Sequence, residues 1–185
     1  MKNIYVTKPF LPPIDEYYES LKEIWENGVL TNVGPFHDRF ENALAEFLEL
    51  PFVSLINNAT SGLMIALKAL EFENEVITTP FSFIATSNSI KWNGLEPVFS
   101  DTDQHVGNLL LESVENKISI RTGGILAVHN YGIPGDLENM GALAKKYKLP
   151  IIYDAAPAIG VKLDDESLLK FGDLAVVSFH ATKIF

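Results

Sequence analysis

Leu174-Ala175-Val176-Val177-Ser178-Phe179-His180-Ala181-Thr182-Lys183 is the stretch that decides the fold. Its first four residues are apolar with no alternation, so an extended segment there buries both faces. That is the pattern of a strand in a parallel sheet covered on both sides. The character then changes at once to a hydroxyl, a ring, an imidazole, another hydroxyl and an amine. An amine just past the carboxyl end of a buried strand suits covalent chemistry, because a partly desolvated Lys loses its proton more easily. A lone Lys near a strand end is also the common pattern of a solvated charge. Ser178 and Lys183 therefore acquire meaning only with partners elsewhere.

Upstream, strand, loop and helix repeat. The apolar runs predict strands over 52–56, 75–79, 97–100, 124–129 and 150–154, besides the one from Leu174. Between them, helical spacing and turn residues predict helices over 60–70, 83–92, 110–117 and 137–147. Such alternation implies an α/β fold with a mainly parallel sheet and helices on both faces. Right-handed crossovers bring the loops after the strands to one edge, where open α/β sheets bind ligands. Before the first strand, Pro9, Pro12 and Pro13 mark an extended arm. Tyr17, Leu21, Ile24 and Trp25 give an amphipathic helix over 15–27 that Gly28 stops. Phe40, Leu44 and Phe47 share a face of a second helix over 36–48. No repeat, low-complexity tract or linker interrupts the chain, which reads as a single domain over 1–185.

Composition narrows the function. A chain of 185 residues, 47% hydrophobic, can bury a real core. Its formal charge of −10 argues against nucleic acid or an anionic membrane as partner. A local cluster of N–H donors can still hold a small anion against that field. With no Cys there are no disulfides, thiolate chemistry or Cys-bound metals. Met1 to Tyr5 lack the apolar core of a signal peptide and no run reaches membrane-spanning length, so the expectation is a cytoplasmic protein. His129 and His180 lack metal-ligand spacing, and no metal is expected.

Four stretches follow predicted strands. Asn57-Asn58-Ala59-Thr60-Ser61-Gly62 opens a helix with small residues, hydroxyls and free amides, which can hold an anion or simply cap the helix through Asn58 or Thr60. Pro80-Phe81-Ser82-Phe83-Ile84 offers a ring to stack on a planar ligand, unless both Phe side chains belong to the core. In Tyr153-Asp154-Ala155-Ala156-Pro157, an Asp at a buried strand end must be paired or hydrogen-bonded. It can hold a protonated ring nitrogen or serve as a turn aspartate. The opening stretch adds the amine. No Walker, G-x-G-x-x-G or G-x-S-x-G sequence is present. Together the four supply an anion cradle, a stacking ring, a carboxylate and an amine, the parts that hold pyridoxal 5'-phosphate.

In this combination and order the chain resembles the DegT/DnrJ/EryC1/StrS nucleotide-sugar aminotransferases. The resemblance runs through the loop over 30–35, the cradle over 57–67, 76–88, 97–103, 129–135, 154–160 and 172–185, with Ser-Phe-His-Ala-Thr-Lys its most specific piece. It implies the N-terminal part of the large domain of fold type I (aspartate aminotransferase-like) enzymes, with pyridoxal 5'-phosphate as cofactor. Lys183 is implied as the Schiff-base lysine and proton carrier, and Asp154 as the partner of the pyridine nitrogen. Phe83 is implied as the stacking ring; Ala59, Thr60, Ser61 and Ser178 would hold the phosphate. Thr31, Asn32 and His180 are implied substrate contacts. The implied reaction moves an amino group, with glutamate as donor, onto a keto group of a nucleoside-diphosphate sugar such as a 4-keto-6-deoxyhexose. A homodimer completes the site in the full-length family member.

Two departures stand out. Pro157 occupies a place where the family usually carries His or Gln beside the cofactor ring, so one side-chain donor is missing. The chain also ends two residues past the lysine, which leads to the expectation of an incomplete cofactor-binding domain, a fragment inactive by itself. The competing expectations are a non-catalytic remnant used as a binding or interaction module, and a generic α/β ligand-binding domain.

Overall fold

Five of the six predicted strands form one parallel sheet in the computed structural model, which describes residues 8–9, 11–31 and 33–183. These residues group into two compact units, one from 56 to 179 and one from the N-terminal side to Leu55 together with His180–Lys183.

The larger unit is built on a five-stranded sheet. In chain order it contains α3 (Ala59–Ala69), β1 (Glu75–Thr78), α4 (Ile84–Trp92), β2 (Glu96–Phe99), α5 (Leu111–Lys117), β3 (Thr122–Val128), α6 (Leu137–Tyr147), β4 (Ile151–Asp154) and β7 (Leu174–Val176). A two-stranded hairpin, β5 (Lys162–Leu163) with β6 (Glu166–Ser167), precedes β7. The sheet order is β2-β1-β3-β4-β7, with every pair parallel. The chain leaves β1 for β2 on one side and returns past it to β3, so a topological switch lies between β1 and β3.

Register assigns the faces. Thr78 pairs with Leu126, Leu126 with Ile152, and Asp154 with both Val128 and Val176. Since side chains alternate along a strand, Val76, Leu126, Ile152, Asp154 and Val176 share one face. On that face Val76, Leu126, Ile152 and Val176 pack with Leu63, Ala66, Leu67 and Ile90 of α3 and α4, and with Phe72 and Leu95. Phe72 lies directly over Gly124, leaving no room for a Cβ there. On the other face Tyr153 and Ala127 meet Leu137 and Met140 of α6. Helices α5 and α6 are tied by Glu115, which accepts from Lys146 at 2.7 Å and from Tyr147 at 3.0 Å. Those two donors hold the Glu115 carboxyl below the usual range.

Most boundaries fall within one or two residues of the sequence expectation. The predicted strand over 52–56 is a correction. Val53 and Leu55 are half-buried while Phe52, Ser54 and Ile56 are exposed, so the segment alternates as an extended chain does. It has no ladder partner among the described residues, and the Leu55 amide bonds instead to the Glu41 carboxylate at 2.8 Å. An alternating pattern establishes extension; a strand also needs a neighbour.

The other unit contains α1 (Ile14–Asn27) and α2 (Pro35–Leu48). Gly28 closes α1 at φ 67°, its amide bonding to the Ile24 carbonyl, as its place after the helix predicts. Pro35 opens α2, where its missing N–H costs nothing. Arg39 joins the two helices by bonding Glu23 at 3.1 Å and lies over the Phe36 ring. No residue of α1 is buried, and Tyr17, Tyr18 and Trp25 are exposed.

Candidate active site

Asp154 ends β4 and is only 6% exposed. Its backbone is held from both sides: its carbonyl accepts from the His129 amide at 3.1 Å, and the following Ala155 amide bonds to the Val176 carbonyl at 2.8 Å. Its carboxylate accepts from the Thr86 hydroxyl at 2.7 Å through Oδ2 and from the Ala156 amide at 3.2 Å through Oδ1. The turn aspartate and the satisfied buried acid expected from sequence are thus both present in one residue. Thr86 is the partner of this acid that sequence reasoning missed. It is wholly buried on the first turn of α4, and its partner lies 68 positions away.

Phe83 precedes that turn, and its carbonyl accepts the Thr86 amide. The α4 start that fixes Asp154 therefore also holds Phe83, one helical turn away. Phe83 is 74% exposed and Phe81 is 48% exposed, so the reading of both as core residues is overturned. Phe81 packs against Gly107, where any Cβ would collide with its ring, and against Tyr131 at a 6.4 Å centroid distance. Gly107 lies in a loop wound about Asp103, whose carboxylate accepts the amides of His105, Val106 and Asn108. The Val106 bond is the largest cause that lowers its pKa.

The cradle begins α3. Asn58 is extended, at φ −165° and ψ 158°, and its side chain accepts the Ser61 amide at 2.8 Å. Of the two expected caps, Asn58 is the one used. Ala59 and Thr60 precede the first intrahelical bonds, so their amides face the open end of the helix. Behind them Gly62 lets α3 approach the sheet. A Cβ there would lie 2.9 Å from Val176 Cγ1 and 2.5 Å from Ile56 Cδ1.

Val176 is the hub of this arrangement. Asp154 pairs with it across the sheet, Gly62 packs on its side chain, and the half-buried Ser178 follows it by two residues. The starts of α3 and α4, the carboxylate and the segment leading to Ser178 thus lie at the carboxyl edge. This donor set suits pyridoxal 5'-phosphate: a buried carboxylate held as an acceptor for a ring N–H, and amides with hydroxyls for a phosphate.

Lys183 and His180 belong to the other unit. Lys183 is half-buried, and its amide bonds to the His180 carbonyl at 2.8 Å. His180 is exposed and its Nδ1 meets the Thr182 hydroxyl at 2.9 Å. Thr31 is exposed, and Asn32 lies outside the described residues. Pro157 is half-buried in the turn after Asp154, its carbonyl against Gly132.

His129 was a candidate ligand only by residue type. Among the described residues no group of three or more side chains could hold a metal ion. Its ring is 1% exposed and stacks on Tyr153 at 4.3 Å and 12°. Burial lowers its pKa to about 4, and burial followed by the charge of Asp136 raises that of Tyr153 to about 12. Among the described residues no helix is long and apolar enough to cross a membrane.

Residues 14–185 match the DegT/DnrJ/EryC1/StrS aminotransferase family. The dTDP-4-amino-4,6-dideoxy-D-glucose transaminase of Shigella dysenteriae is 48% identical over 184 residues, covering 100% of this chain and 50% of that protein. The crystal structure of DesI in the presence of its TDP-sugar product superposes with a TM-score of 0.92 at 33% identity, over 97% of this chain and 46% of DesI. Bacillus subtilis NtdA with bound cofactor PMP matches at 31% identity and a TM-score of 0.85, over 98% of this chain and 43% of NtdA. The likeness to solved sugar aminotransferases bears out the parallel α/β fold. The chain spans about half the length of the curated relatives it matches.

Proposed function

The chain belongs to the DegT/DnrJ/EryC1/StrS aminotransferase family, and from that premise we propose that it transfers an amino group through pyridoxal 5'-phosphate to a keto group of a nucleoside-diphosphate sugar. The substrate is a 4-keto-6-deoxyhexose and the donor glutamate. The observation that carries this reading is the gathering of Asp154, the α3 start and Ser178 around Val176. The likeness to the Shigella dTDP-4-amino-4,6-dideoxy-D-glucose transaminase supports the sugar class.

When bound, the cofactor supplies an electron sink next to the reacting carbon. The amides of Ala59 and Thr60, with the hydroxyls of Thr60, Ser61 and Ser178, would bind the phosphate. The Asp154 carboxylate holds the proton on the ring nitrogen. Phe83 stacks on the ring and keeps water from that face. Lys183 would hold the cofactor covalently, and its amine would carry the proton at the sugar carbon that bears the keto oxygen. Thr31, Asn32 and His180 contact the sugar nucleotide. Residues 1–185 form a single domain that is part of a cofactor-binding large domain, in a cytoplasmic homodimer.

The test uses protein expressed from the complete coding sequence. Added pyridoxal 5'-phosphate should produce a visible absorption band, and borohydride should fix the cofactor to the peptide carrying Lys183. Lys183→Ala should abolish both the band and amino transfer from glutamate to a dTDP-4-keto-6-deoxyhexose. An undiminished band in the variant overturns the covalent assignment.

A further inference from the structure

The bond from Thr86 to Asp154 is unusual for where it sits. Thr86 is wholly buried, and its hydroxyl donates to Asp154 Oδ2 at 2.7 Å. With the Ala156 amide on Oδ1, both oxygens of the carboxylate accept, so the group cannot swing about its last bond without losing one of them. Thr86 also lies one turn past Phe83, so a single helix start sets the orientation of the acid and the place of the ring.

We propose that Thr86 is a positioning residue for recognition of the ring nitrogen. This rests on the cofactor reading above and adds to it. The hydroxyl fixes the rotation of the Asp154 carboxylate and favours its charged form, because a hydrogen bond to a carboxylate stabilises the ion over the acid. The aspartate then presents a fixed, ionised oxygen to the N–H of a protonated six-membered heteroaromatic ring. Ser can fill this role; Val, of nearly the same shape, cannot.

A purely structural role, tying α4 to β4, must be separated from this one. Thr78 supplies the control: it is also wholly buried, on the same sheet face, and its hydroxyl donates to the Leu126 carbonyl at 2.8 Å without touching Asp154. Protein from the complete coding sequence is titrated with pyridoxal 5'-phosphate and with its carba analogue, in which C–H replaces the ring nitrogen. The ratio of the two affinities reports the nitrogen contact alone. The wild type should prefer the natural cofactor. Thr86→Val should cut that preference about tenfold or more, the scale of one hydrogen bond to a charged group. Thr86→Ser and Thr78→Val should keep the wild-type ratio, even where Thr78→Val unfolds more easily. If Thr86→Val does not fold, Thr86→Ala takes its place with the same expected loss. A wild-type ratio in the Thr86→Val or Thr86→Ala protein, alongside a collapsed ratio in Asp154→Asn, overturns the proposal and leaves the cofactor reading standing. A wild type that binds neither compound, or both equally, overturns the cofactor reading and the proposal with it.

Discussion

The His129–Tyr153 stack should limit stability at both ends of the pH range, for reasons that can be worked through. Tyr153 lies on the sheet face opposite the Asp154 carboxylate, and a cavity of about 20 Å³ adjoins both rings. His129 Nε2 is buried with no hydrogen-bond partner among the described residues. In the unfolded chain His129 takes up its proton near pH 6.5; in the fold it does so only at about 4. Between those values the unfolded state binds more protons, so stability is full above 6.5 and falls on acidification by about 1.4 kcal/mol per pH unit, about 3 kcal/mol in all. Tyr153 acts with the opposite sign in pH. Its folded pKa of about 12 exceeds the ordinary 10, so the fold keeps a proton that the unfolded chain releases, and stability falls as pH rises from 10 to about 12. Urea melts of wild type and His129→Phe across pH 4.5 to 7.5 test the acid limb. Phe keeps the stacked ring and removes the titration. The two curves should run parallel above pH 7, and the variant should gain on the wild type as pH falls. Parallel curves throughout, or an imidazole resonance titrating near 6.5 in the folded protein, would refute the argument. Tyr153→Phe should likewise remove the alkaline loss.

Two further predictions concern the cradle. Asn58→Ala should cost about 1 kcal/mol through loss of the cap on the Ser61 amide, read by urea denaturation. Asn58→Asp should keep the cap, yet weaken binding of pyridoxal 5'-phosphate by placing a negative charge beside the phosphate site. Gly62→Val should destabilise by about 1–3 kcal/mol, because its side chain must displace the buried Val176 as well as the exposed end of Ile56. Cofactor affinity should fall in the same variant as the α3 start shifts; an unchanged affinity would mean that the α3 start takes no part in holding the phosphate.

Local patterns were legible wherever local physics decides them. The unbroken apolar runs at 124–128, 151–153 and 174–176 announce strands buried on both faces, and each becomes one. Gly28 and Pro35 sit where helix ends favour them. The hairpin over 162–167 was not read, because its turn places Asp164 and Asp165 at φ 49° and 67°, a conformation usually signalled by Asn or Gly. The segment over 52–56 has the apolar run of a strand, and a missing ladder partner is not visible in a sequence. For the same reason Asp154 was legible as an acid needing a partner while Thr86 was not legible as that partner. The pairing depends on α4 crossing the face that carries Asp154, which register and packing decide together.

Register also explains why the site and the core cannot be adjusted separately. Val176 belongs to the cluster that holds α3 and α4 on the sheet, and it is also the residue against which the cradle and the acid are placed. Moving α3 outward by the few tenths of an ångström that a methyl at position 62 demands would loosen Leu63, Ala66 and Leu67 as well as the amides of Ala59 and Thr60. A slip of β7 by one residue would exchange Val176 for Ala175 on the α3 face, emptying part of the core and turning the segment that leads to Ser178 over. The packing that stabilises the sheet is therefore the same packing that sets the distance between the carboxylate and the α3 start. Substitutions in the core on the α3 face should change cofactor affinity more than substitutions of equal cost under α6. A matched pair, Leu67→Ala against Leu143→Ala, both buried, tests this. Each should lose a few kcal/mol, and only the first should weaken binding of pyridoxal 5'-phosphate in the protein that still folds.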